Sequence, residues 1–109
     1  MRTLLIFIVL FFSALAQAEN LFCQISVGME VTSKTEIAVD QGETKSFGNY
    51  GEYFFKVKNR GKSQFTIEVF NGSEPSRGYA DGVLRQVDDE VKWSLWTREI
   101  LIEGSCQLQ

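Results

Sequence analysis

The stretch Tyr53-Phe54-Phe55-Lys56-Val57-Lys58-Asn59-Arg60-Gly61-Lys62-Ser63-Gln64-Phe65-Thr66-Ile67-Glu68-Val69-Phe70 carries the clearest pattern in this 109-residue chain. Tyr53, Phe55 and Val57 alternate with Phe54, Lys56 and Lys58. After Asn59-Arg60-Gly61-Lys62 the alternation resumes, with Phe65, Ile67 and Val69 set against Thr66, Glu68 and Phe70. Successive side chains on a strand point to opposite faces, so two such runs around a glycine-containing turn define a β-hairpin. Tyr53, Phe55, Val57, Phe65, Ile67 and Val69 form its inner face. Lys56 and Glu68 fall on the outer face, within reach of a cross-strand pair. Phe54 and Phe70 must also point outward, and an apolar patch on a small protein marks a partner surface.

Working outward, the same period recurs. Cys23, Ile25, Val27, Met29 and Val31 share one face of a first run, Ile37 and Val39 repeat it before Gln41-Gly42, and a short piece at Lys45 to Phe47 ends at Gly48-Asn49. Beyond the hairpin, Asn71 to Gly78 contains no apolar residue, and Glu74 to Gly82 reads as a loop holding Pro75, two glycines, Arg77 and Tyr79. Val83 to Val87 reads as a further strand. Val91, Trp93 and Leu95 alternate next, then the phase shifts to Ile100 and Ile102, which predicts a bulge or turn near Thr97-Arg98-Glu99. Trp96 is off that phase, a third outward aromatic.

A helix is the alternative over Asp88 to Glu103, with Asp88 or Asp89 as cap, Trp93, Trp96 and Ile100 at helical spacing, and Gly104 as stop. Strand is preferred, because beyond residue 18 only Ala38 and Ala80 remain as alanines while Val, Ile, Thr and aromatics abound. The expectation is an all-β fold: a small antiparallel sandwich or barrel of about 7–8 strands.

The first 18 residues have the form of a cleaved export signal, with Arg2, the apolar run Leu4 to Phe12, and Ala16-Gln17-Ala18 before the cut. A membrane-spanning helix wants about 20 apolar residues, and this run ends sooner. Asn20-Leu21-Phe22, not small residues, stand immediately before Cys23, so lipid attachment is not expected. Residues 19–109 then form one domain without a stable membrane anchor, periplasmic or secreted. Cys23 and Cys106 lie near the two ends of that domain. In an oxidising compartment such a pair reads as one disulfide joining the first strand to the last.

The formal charge is −3 with no basic run, which argues against nucleic acid. The chain has no His, so His-based triads and His metal sites are ruled out. Asp88-Asp89-Glu90 lacks the spacing of a calcium loop, and adjacency in a turn points its carboxylates apart. Asn71-Gly72-Ser73 fits a glycosylation acceptor and, more plainly, a turn. No cofactor or metal is expected, and the chain reads as a non-enzyme. The candidates for partner contact are Ser76, Arg77 and Tyr79 in the Pro75–Asp81 segment, with Phe54, Phe70 and Trp96, since Arg and aromatics concentrate in binding hot spots.

Cys23, Cys106 and Ser76-Arg77-Gly78-Tyr79, followed by a Trp-containing strand, stand in an order similar to that of small exported bacterial lysozyme inhibitors of the membrane-bound and periplasmic C-type-inhibitor group. Those are β-barrels of about this size in which a Ser-Gly-x-x-Tyr loop enters the lysozyme cleft. Here Gly78 is not directly after Ser76, and Tyr79 comes one position early. The expected role is a small non-catalytic binding domain for a protein or envelope component. A second reading is an inhibitor of a cell-wall hydrolase, as the resemblance implies, or of a protease, in which Arg77 and Tyr79 plug an acidic cleft. A third is a structural subunit of an envelope assembly that uses an edge strand. N-terminal sequencing of the exported protein should begin at Glu19; a product that retains Met1 would contradict the signal reading.

Overall fold

In the computed structural model, residues 18–109 are described. The signal segment read over 1–18 therefore lies outside the described residues except for Ala18. Eight strands follow in order: β1 (Ala18–Val27), β2 (Glu30–Asp40), β3 (Thr44–Tyr50), β4 (Tyr53–Gly61), β5 (Gln64–Asn71), β6 (Ser76–Val83), β7 (Glu90–Trp96) and β8 (Leu101–Leu108). They form two antiparallel four-stranded sheets, β2-β1-β8-β7 and β3-β4-β5-β6, here called the first and second sheet. There is no helix among the described residues, and Thr97 to Ile100 is a turn that absorbs the phase shift.

The hairpin forms as its alternation requires. Lys56 lies opposite Glu68, Phe54 opposite Phe70, and Phe55, Val57, Phe65, Ile67 and Val69 are buried. The turn lies two residues later than expected. Asn59 and Arg60 belong to β4, a bulge separates Asn59 from Gly61, and Lys62 and Ser63 make the turn with φ of 55° and 64°. Paired left-handed residues match the strand twist, and Gly61 supplies the bulge at φ 86°.

Three expectations are corrected. Cys23 to Val31 is not one strand: Gly28 and Met29 turn the chain at φ 60° and 71°, so Met29 is exposed and Val31 belongs to the next strand, which starts at Glu30. The Glu74–Gly82 segment is not a loop, because β6 begins at Ser76. Val83 to Val87 is not a strand, since the chain leaves the sheet after Val83. The third follows from Asp89, whose carboxylate takes the Arg85 and Gln86 N–H groups into a turn, and the cause of the second is steric. The inward positions of β6 are Gly78, Ala80 and Gly82, and a Cβ on Gly78 would lie 2.5 Å from the Trp93 indole nitrogen, one on Gly82 2.9 Å from Val91. Side chains of β7 fill the space that β6 leaves, so β6 has no apolar period of its own.

The core lies between the sheets. Leu21, Cys23, Ile25, Ile102 and Cys106 of the first sheet meet the inner face of the hairpin and Phe47 of the second. The Phe55 ring packs edge-on to Trp93 at 5.8 Å and beside Phe47 at 5.7 Å. It also lies directly against the β8 backbone, where a Cβ on Gly104 would stand 2.5 Å from the ring. Cys23 and Cys106 are register partners and are disulfide-bonded.

Buried polar groups tie the connections. Asn59 donates from Nδ2 to the Val39 carbonyl at 3.0 Å and accepts from the Gly61 N–H at 2.9 Å, which fixes β4 to the end of β2. Asn71 is buried and accepts from the Ser73 N–H and hydroxyl, each at 3.0 Å, so it acts as the anchor of a turn. Gly104→Ala should cost about 1–3 kcal/mol in urea unfolding, because the new methyl meets the Phe55 ring. Phe55→Leu in that background should recover part of the loss, and additive losses would contradict the packing.

Candidate functional site

The strands of the second sheet place alternate residues in rows across its outer face. One row is Asn49, Phe54, Phe70 and Arg77; the next is Ser46, Lys56, Glu68 and Tyr79; the third is Thr44, Lys58, Thr66 and Asp81. Arg60 extends this face beyond the third row. The inward neighbours in each strand are held in the core, so register and burial together fix which side chains face out.

The face has an apolar end and a charged end. The Arg77 guanidinium lies 5.6 Å from the centre of the Phe70 ring and 3.5 Å from Glu68. Phe54 is 43% exposed beside them, and Tyr79 is 58% exposed in the middle of the face. Arg60 lies 3.7 Å from Asp81, which also accepts a 2.6 Å hydrogen bond from the Thr66 hydroxyl. Two shallow grooves share Glu68, one lined by Phe54, Lys56, Phe70 and Arg77, the other by Lys58, Arg60, Thr66, Tyr79 and Asp81.

The charge balance of this face is opposite to that of the chain. Lys56, Lys58, Arg60 and Arg77 share the face with Glu68, Asp81 and, at the Phe54 end, Glu52, four cations against three carboxylates, on a chain of charge −3. Among the described residues, Lys56 and Lys58 form no salt bridge. The ion pairs of Arg60 and Arg77 are long and solvated, each worth at most about 1 kcal/mol. Both guanidinium groups are therefore free to exchange partners at little cost.

The structure brings together four of the six candidate contact residues: Phe54, Phe70, Arg77 and Tyr79. Ser76 starts β6 opposite Asn71, on the other side of the alternation. Trp96 is 80% exposed at the end of β7, in the first sheet, beside the Gly28-Met29 turn. Lys56, Lys58, Arg60 and Thr66 lie outside the expected contact residues, and Asp81 enters only as the end of the Pro75–Asp81 segment. A signal for the two lysines existed, because the alternation that buries Phe55 and Val57 places Phe54, Lys56 and Lys58 on one outward line, whereas Arg60 reads as part of the turn. Thr66 and Asp81 join them only through the β5–β6 register. Ser76-Arg77-Gly78-Tyr79 lies in a strand, so it makes no protruding loop of the kind that enters a cleft.

No family model matches the chain, and no curated protein and no solved structure matches it.

The exit from β6 is held by Asp89, whose carboxylate accepts the Arg85 and Gln86 N–H groups at 2.9 and 3.0 Å. Those hydrogen bonds, that from Gln86 foremost, hold its pKa below the ordinary 3.8. A lowered folded-state pKa stabilises the fold above the unfolded value, and this contribution disappears as pH falls through the folded value. Asp89→Asn should therefore shrink the drop in melting temperature on going from about pH 6 to about pH 3; an unchanged drop would contradict the role.

Proposed function

We propose that this protein is an exported, non-catalytic binding domain whose contact surface is the outer face of the second sheet, and whose partner is an acidic protein or envelope component. The carrying observation is the concentration of Lys56, Lys58, Arg60 and Arg77 beside Phe54, Phe70 and Tyr79 on one face of a chain that is acidic as a whole. Phe54 and Tyr79 are exposed and Phe70 is half-buried; outward aromatics supply contact area at low entropic cost, and a basic surround steers and orients an acidic partner. The absence of His from the sequence supports a binding rather than a catalytic role.

The Cys23–Cys106 disulfide in so small a domain is consistent with an oxidising compartment. With the signal-like residues 1–18, it supports the periplasm or release from the cell as the place of action. Inhibition of a cell-wall hydrolase or protease is the second reading. It would use the same basic strand surface laid across an acidic rim, not a loop inserted into a cleft.

The test is retention of envelope and secreted proteins on the immobilised oxidised protein, beside Lys58→Glu/Arg77→Glu and a control variant, Lys92→Glu, on the opposite sheet. The parent and the control should retain the same acidic partner, the double variant should lose it by about tenfold or more, and salt raised from about 0.05 to 0.5 M should weaken it. Equal retention by all three proteins would reject this face as the site. Block of a hydrolase activity by the parent and the control, but not by the double variant, would select the inhibitor reading.

A further inference from the structure

The strand β2 is the longest in the fold, and it forms one edge of the first sheet. Its free side can be assigned from hydrogen bonds. The Ala38 carbonyl accepts from the Lys45 ammonium at 2.6 Å, and the Asp40 N–H donates to the Glu43 carboxylate at 3.0 Å, both on the side away from β1. Asn20, the register partner of Ala38, accepts from the Gln109 N–H on the β8 side, so Asn20 and Ala38 do not bond to each other. Main-chain groups alternate in direction along a strand. Lys34 and Glu36 therefore direct their N–H and C=O groups to the open edge. Lys45 closes that edge at Ala38 and leaves the stretch around Lys34 to Glu36 uncovered.

An open edge is a template for another strand, and a lone lysine on it repels most arrivals. Here Lys34 and Glu36 stand two positions apart on the outer side, both exposed, and neither forms a salt bridge among the described residues. A strand that runs antiparallel and offers the same pair in reverse order meets each charge with its opposite. Such a strand is β2 itself.

We propose that β2 is a self-association edge, on which a second copy of this chain pairs antiparallel about a two-fold axis at Thr35. Lys34 then lies directly opposite Glu36 of the second copy, and Glu36 opposite its Lys34. Both residues sit at positions where the two strands exchange main-chain hydrogen bonds, and Thr35 faces its own copy on the axis, a favourable cross-strand pair. The two first sheets join into one continuous sheet by an isologous contact that closes at the dimer. The binding face described above belongs to the other sheet and stays free, so this contact stands or falls independently of it.

Sedimentation velocity on the oxidised protein from about 10 µM to about 1 mM tests the edge. The parent should show a concentration-dependent monomer–dimer equilibrium. Lys34→Glu and Glu36→Lys should each weaken it by at least about tenfold, because either change sets like charges opposite one another twice. The double variant K34E/E36K should return to within about threefold of the parent, since it restores both pairs with reversed sign. Unchanged circular dichroism of the exposed-site variants keeps the comparison on association. A parent that stays monomeric over the whole range overturns the proposal. So does single-variant dimerisation equal to the parent, or a double variant no better than the singles.

Discussion

The pairing of β1 with β8 is the constraint on which the rest of the structure depends. The second sheet is built from consecutive hairpins, β3 to β6, and each needs only a short local turn. The first sheet cannot form that way, because its two central strands come from opposite ends of the domain. Cys23 and Cys106, 83 positions apart, meet as register partners in the middle of it and are fully buried. Once they are joined, β2 and β7 add to the outside as hairpin partners of β1 and β8. Their inner faces then supply the wall on which Phe55 and its neighbours pack.

Closing the ends also determines what the outer faces carry. Phe55 lies against Gly104 and Trp93, so the β4 residues beside it have no choice but to face solvent. The basic line of β4 and the aromatics Phe54 and Phe70 are displayed for that reason. The opposite outer face carries Lys34 and Lys92 against Glu36, Asp40, Glu90 and Glu103, so the sandwich is polarised, basic on one side and acidic on the other. Such polarity orients an approaching charged partner before contact.

Much of the fold was legible in the sequence, and the exceptions have physical causes. The hairpin, the all-β class and the terminal disulfide followed from alternation and cysteine placement. The strand β6 did not, because its inward positions are Gly78, Ala80 and Gly82 and the apolar signal sits on β7 instead. Met29 read as a strand residue because its apolar character hid a left-handed turn position, where Gly or Asn is the usual signal. For the candidate site, the outward aromatics of the hairpin were legible. The union of Phe70 with Arg77, and of Lys58 with Asp81, was not, since it depends on the register of β6. Trp96 shared only its outward phase with the others, and phase says nothing about which sheet a strand joins.

The central claim is that the covalent closure of β1 on β8 holds the sandwich together. Equilibrium urea unfolding of the oxidised protein and of the same protein with Cys23 and Cys106 reduced tests it directly. For a closed loop of this length, reduction should lower the unfolding free energy by about 4–5 kcal/mol, a large part of the total for a domain this small. A loss below about 1 kcal/mol would show that the strand pairing sustains itself without the bond, and would contradict the account.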